Sequence, residues 1–127
     1  MRQRRTLSAL AVATPLLSIA GAWIMARRLT RRQPADPSAR PADHGLPAED
    51  VAFLTDDGIT IRGYFIPTPA ARGTVVVCSG FNGSLDPDLH YAPAFHARGY
   101  NTLFFDYRGH GRSGGDHVTL GCRERQD

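Results

Sequence analysis

A chain of 127 residues holds one domain at most, and an uncharged apolar run at 7–26 withdraws part of that length from any core. The formal net charge of +3 conceals a division: residues 1–32 carry seven Arg and no acid, residues 33–127 eight Arg and twelve acids, so +7 stands against −4. The basic character therefore flanks the apolar run, and a mildly acidic body argues against a nucleic-acid partner, which needs a basic patch on the folded part.

Residues 1–6 form a basic tail. The run at 7–26, LSALAVATPLLSIAGAWIMA, is long enough as a helix to span about 30 Å, the hydrocarbon thickness of a bilayer. Arg27, Arg28, Arg31 and Arg32 follow at once and resist export of what comes next. A retained single-pass anchor in a lipid bilayer is the favoured expectation. Export after signal-peptide cleavage is the alternative, because Ser18-Ile19-Ala20 and Ala20-Gly21-Ala22 both supply small residues at the positions a signal peptidase needs. Three Arg plus the amino terminus on one side, against four Arg on the other, do not set an orientation.

Residues 27–48 are rich in Arg and Pro and lack apolar periodicity, which reads as an extended linker. A folded region is expected at 49–127. Residues 51–55 and 59–66, separated by Asp56-Asp57-Gly58, predict a β-hairpin with Ile59, Ile61, Gly63 and Phe65 on one face. The β-branched run at 74–78 predicts a strand buried on both faces, as in a parallel sheet covered by helices. A short helix over 93–98 follows, with Pro93 in its first turn and Gly99 as the left-handed residue after its end. Residues 101–106 then give a second buried strand, completing a βαβ unit. Residues 119–127 have the composition of a helix start.

Cys78 and Cys122 make neither a disulfide framework nor a metal-ligand spacing, so no metal is expected. Gly111-Arg112-Ser113-Gly114-Gly115 matches the nucleophile pattern G-x-S-x-G. That pattern works at a strained strand-to-helix turn, whereas here the strand ends near Asp106 and no apolar helix follows. Ser113 is therefore read as a loop residue and His110 as structural. The same letters spell Gly109-x-Gly111-x-x-Gly114. A dinucleotide fingerprint opens a helix directly behind its strand, and Tyr107 and Arg108 intervene, so no cofactor is expected. Asp106 is read as capping the turn.

Three segments together resemble the α/β-hydrolase family: FLTDDGITIRGYFIP at 53–67, VVVCSGFNGS at 75–84 and GYNTLFFDYRGHGRSGG at 99–115. Their order and spacing are similar to the membrane-anchored serine hydrolases and the serine-aminopeptidase-like branch. The resemblance implies a doubly wound, mostly parallel α/β sheet of which this chain is the N-terminal part. It also implies hydrolysis of an ester, thioester or amide, with a small-molecule acyl substrate. It places one oxyanion-hole donor, the Phe81 backbone N–H, in the loop Ser79-Gly80-Phe81-Asn82-Gly83, where relatives commonly carry His at the position of Ser79. No catalytic residue of the Ser–His–acid triad is expected among these residues, and the chain alone is expected to be inactive. The alternatives are a nucleotide-binding βαβ protein and a truncated non-functional product.

Overall fold

Two acids and a glycine turn the chain back on itself at 56–58. Gly58 takes φ +82°, a left-handed conformation that a side chain would strain. The Thr55 N–H donates to the Ile59 carbonyl at 2.9 Å, and the Thr55 hydroxyl donates to Asp57 Oδ1 at 2.6 Å. The expected hairpin thus forms, as β1 (Glu49–Leu54) and β2 (Thr60–Ile66), antiparallel with Val51 opposite Gly63.

The computed structural model describes residues 2–36, 40–81 and 83–127, with side chains from Thr14 onward. It divides into two units, 1–30 and 31–127. The first is the helix α1 (Arg2–Leu29), which contains Pro15. Leu16, Leu17, Ile19, Trp23, Ile24 and Met25 are exposed on it, and the Arg27 guanidinium lies 4.5 Å from the centre of the Trp23 ring. Among the described residues no helix is long and apolar enough to cross a membrane, so the transmembrane reading of 7–26 gains no support from the structure. The side chains at 7–13 in that run, like Pro37 of the expected linker and Asn82 of the expected oxyanion loop, lie outside the described residues.

The second unit adds β3 (Thr74–Cys78), α2 (Ala92–His96) and β4 (Asn101–Asp106) to the hairpin. The strand order is β1-β2-β4-β3. β4 runs antiparallel to β2, with Tyr64 opposite Phe104, and parallel to β3, with Val76 beside Leu103. The expectation of a mostly parallel sheet is corrected here: among the described strands two pairings are antiparallel and one is parallel, because the hairpin enters the sheet through β2.

A second correction concerns β3. Its apolar run predicted burial on both faces, yet Val76 is 53% exposed and the strand lies at the sheet's edge. β4 is the buried strand, with Thr102, Phe104 and Asp106 fully enclosed.

Both faces of β2 are covered: Ile61, on the face the hairpin pattern singled out, is fully buried, and the main apolar cluster lies on the opposite face. Tyr64, Ile66 and Phe104 pack with Leu85, Leu89 and Ala92, the last three brought in by a 3-10 turn (Asp86–Tyr91) leading into α2. Each fully buried apolar side chain of this size contributes roughly 1.5–3 kcal/mol. Gly99, at φ +80°, ends the helical stretch as expected. Gly63 fits where it does because a Cβ there would sit 2.0 Å from the Phe104 carbonyl oxygen. At 119–127 the expected helix start is a 3-10 turn (Glu124–Gln126). It is organised by the Glu124 carboxylate, which accepts from the Thr119 N–H, the Thr119 hydroxyl and the Gly121 N–H.

Candidate active-site loops

Two loops leave the same end of the parallel pair β3 and β4, and they meet. The first is 79–83. The Ser79 hydroxyl is buried and reaches the Phe105 carbonyl at 3.5 Å, which ties the loop to β4. Gly80 is exposed, and Phe81 is 41% exposed. Among the described residues the Phe81 N–H has no hydrogen-bond partner. The Phe81 carbonyl oxygen, by contrast, lies 2.9 Å from His110 Nε2.

The second loop, 107–115, is built around Asp106. This fully buried carboxylate accepts from the Leu85 N–H at 2.7 Å and from the Arg112 N–H at 2.9 Å. Its position leaves no room for a side chain at 111, where a Cβ would lie 2.2 Å from Asp106 Oδ2. The expected turn-capping role is therefore what the geometry shows, extended across to Leu85 in the neighbouring loop.

Ser113 is buried. Its hydroxyl donates to the Asp106 carbonyl at 2.5 Å and accepts from the Arg62 N–H at 2.8 Å. Both its donor and an acceptor position serve the frame of the loop. His110 is equally committed: Nδ1 faces the Arg108 carbonyl and Nε2 the Phe81 carbonyl, each at 2.9 Å. Neither forms part of a nucleophile–base pair. The dinucleotide reading fails in the same loop, because the Gly109 N–H donates to the Gly114 carbonyl at 2.8 Å, closing a turn where a phosphate-binding helix would begin.

The space between the loops is a cavity of about 490 Å³, lined by Gly80, Phe81, Tyr107, His110, Val118 and Glu124 among others. The Tyr107 hydroxyl is held up to about 12, first by hydrogen bonding with the Cys78 side chain and then by desolvation. For Glu124, burial raises the pKa but the hydrogen bonds from Thr119 and Gly121 outweigh it, bringing it down to about 2. Among the described residues no cluster of His, Cys, Asp and Glu could hold a metal ion.

Sequence reasoning missed several residues that hold these loops. Arg108 is 4% exposed, and its guanidinium donates to Asp57 in the hairpin turn and to Asp127. Arg32, read as a flank charge at the start of an extended linker, donates to the carbonyls of Gly111, Ser113 and Gly115. The linker reading is corrected over 31–36, which is bonded to the folded unit. An arginine beside an apolar run carries no signal of such a role; Arg108, two residues beyond the strand-end Asp106, stood in one of the segments that carry the family resemblance.

A family model described as serine aminopeptidase, S33, matches residues 69–122. An uncharacterised protein of Mycobacterium tuberculosis is 38% identical over 96 residues, covering 73% of this chain and 34% of that protein. The polyketide transferase grgF of a Penicillium species is 38% identical over 74 residues, 56% of this chain and 24% of its own length. Among solved structures, the esterase Pf2001 of Pyrococcus furiosus superposes with a TM-score of 0.65 at 27% identity, over 77% of this chain and 38% of the esterase. The chain thus spans about a quarter to a third of the length of the curated relatives it matches. With the strand order and the paired loops already described, these matches place the chain in the α/β-hydrolase family.

Proposed function

We propose that this chain supplies the oxyanion side of an acyl-transfer site, in a membrane-associated α/β-hydrolase of the serine type that cleaves an ester, thioester or amide. The observation that carries the reading is the Phe81 N–H, unpartnered among the described residues, in a loop that lines the cavity. A donor fixed before reaction stabilises the oxygen that becomes negative in the tetrahedral intermediate, and removing one such donor costs about 10²- to 10³-fold in kcat. The nucleophile, acid and base come from outside these 127 residues, since Ser113, His110 and Asp106 are each engaged in holding the loops. Two relatives named polyketide transferases favour a second reading, transfer of the acyl group to an acceptor other than water, which needs the same oxyanion donor.

Membrane association through 7–26 is part of the proposal. It is supported by the uncharged run and by the exposed apolar side chains of α1, which require an apolar partner. Export after cleavage of 7–26 is the competing localisation.

A fluorophosphonate probe tests the assignment. The 127-residue chain should stay unlabelled. In a longer, active form of the protein, Ser113→Ala should leave labelling intact, and Phe81→Pro, which deletes the N–H, should lower kcat by two orders of magnitude or more. Labelling of the 127-residue chain that disappears with Ser113→Ala would reassign the nucleophile to Ser113.

A further inference from the structure

We infer that residues 32–36 form a strap that positions the oxyanion loop from both of its sides; this rests on the reading of Phe81 as the oxyanion donor. On one side, the Arg32 guanidinium gathers three carbonyls of the second loop: Gly115 at 2.5 Å through Nη1, and Gly111 at 2.9 Å and Ser113 at 2.8 Å through Nη2. Beside it the Gln33 N–H donates to the Gly109 carbonyl at 2.8 Å, and the Gly111 N–H donates to the Gln33 carbonyl at 3.0 Å. Five hydrogen bonds thus fix the residues that bracket His110.

His110 passes that order to Phe81, since its Nε2 lies 2.9 Å from the Phe81 carbonyl. Anchoring this carbonyl fixes the peptide unit that follows Phe81. Because peptide units are planar, only the torsions at the Phe81 Cα then separate it from the unit that carries the N–H.

On the other side, Asp36 holds the far end of the same loop. Its Oδ2 accepts from the Ser84 N–H at 3.0 Å, and the Asp36 N–H donates back to Ser84 Oγ at 3.2 Å, while the Ser84 hydroxyl donates to Asp86 Oδ2 at 2.7 Å. Gly83 shows how close this approach is, with φ +113° and space for a Cβ only 2.6 Å from Asp36 Oδ2. A guanidinium fork suits the first task because its N–H groups diverge in one plane and reach several carbonyls together. An ammonium offers a single point of attachment.

Arg32 and Asp36 are therefore positioning residues. Nitrogen-15 relaxation on the full 127-residue chain in detergent micelles tests them directly. In the unmodified chain the Phe81 amide should show an order parameter near that of rigid backbone, about 0.85. Arg32→Ala and Asp36→Ala should each drop it toward 0.6 or below while the amides of β2 and β4 keep their values. Arg32→Lys, which preserves charge but loses the fork, should fall between.

In an active longer form turning over p-nitrophenyl butyrate, Arg32→Ala should lower kcat about tenfold with KM unchanged, a fraction of what deleting an oxyanion donor costs. An unchanged Phe81 order parameter in both alanine variants overturns the strap. So does a loss of order spread equally over β2 and β4, or a rise in KM at constant kcat. If the order parameters fall as expected but Phe81→Pro retains full kcat, the strap stands as a tether of the loop and the oxyanion assignment alone is refuted.

Discussion

Arg108 grips Asp57 with both ends of its guanidinium, Nη1 to Oδ2 at 2.6 Å and Nη2 to Oδ1 at 3.0 Å, and so joins the tip of the hairpin to the loop that follows β4. The arginine is buried, while the carboxylate remains partly open to water. Removing the acid strands a buried charge that keeps only Asp127 as an ionic partner, which makes the pair asymmetric: Arg108 depends on Asp57 more than the reverse.

The sign of the pH dependence follows. The Arg108 hydrogen bond, and secondarily that of Thr55, lower Asp57 from 3.8 to about 2, so the pair stabilises the fold above pH 4 and the contribution disappears as pH falls from about 4 to 2. Glu124, lowered from 4.5 to about 2, acts in nearly the same window. Asp86 acts oppositely, since desolvation raises its pKa and its cost is relieved on acidification. Urea midpoints measured between pH 2 and 5 should fall toward acid. Asp57→Asn should flatten that limb without abolishing it, Glu124 accounting for the remainder. An unaltered acid limb in Asp57→Asn would remove the pair from the explanation.

Gly111→Ala should destabilise the protein by about 2 kcal/mol or more, in the class of substitutions that combine backbone strain with a steric clash. Gly111 sits at φ +44° with the Asp106 carboxylate in the space a Cβ would occupy. Relief requires moving a side chain that also holds Leu85 and Arg112. Thermal unfolding compares it with Gly58→Ala, where φ is also positive, at +82°, but nothing lies within 4 Å of the Cβ, and whose smaller loss isolates the clash. Equal losses in the two variants would leave backbone strain as the whole effect.

The order of strands was largely legible in the sequence, and the depth of burial was not. The D-D-G turn and the alternation around it specify a hairpin locally, and a β-branched run next to a short helix specifies a parallel pair. Which face carries the main cluster depends on what arrives later in the chain: Leu85, just before a 3-10 turn without apolar periodicity, and Leu89 within it pack with Tyr64 and Ile66, while Ile61 on the other face is buried outside that cluster. The loop proposed as the oxyanion loop was located through the resemblance at 75–84. Its supports were not, because Arg32 and Asp36 act across 79 to 83 and 48 residues respectively, and nothing at their own positions distinguishes them from solvated charges.

The edge at β3 carries a prediction about association. Residues 49–127, separated from the rest, should be insoluble or molten, because an apolar edge without Lys, Pro or a bulge offers its free backbone groups to other chains. Val76→Lys, at a side chain already 53% exposed, should shift residues 31–127 toward soluble monomer in sedimentation velocity. A dispersed amide spectrum and a cooperative melt from unmodified 49–127 would contradict this.

Expressed in a bacterial host, the full chain should pellet with membranes and resist carbonate extraction if the uncharged run at 7–26 anchors it as proposed. Mass spectrometry of the recovered protein decides between anchor and signal peptide. A mature N-terminus at Gly21 or Trp23 would establish cleavage and overturn the anchor.

Either outcome of that processing leaves residues 32–36 attached to the folded unit, since both cleavage positions fall well before Arg32. A protein shortened at the first strand does not share this fate. Starting at Glu49 leaves the carbonyls of Gly111, Ser113 and Gly115 without their guanidinium and the Ser84 N–H without the Asp36 carboxylate. Low activity in a version of the protein shortened there would then reflect where it was cut, and a boundary at Arg31 keeps the residues that hold the loops.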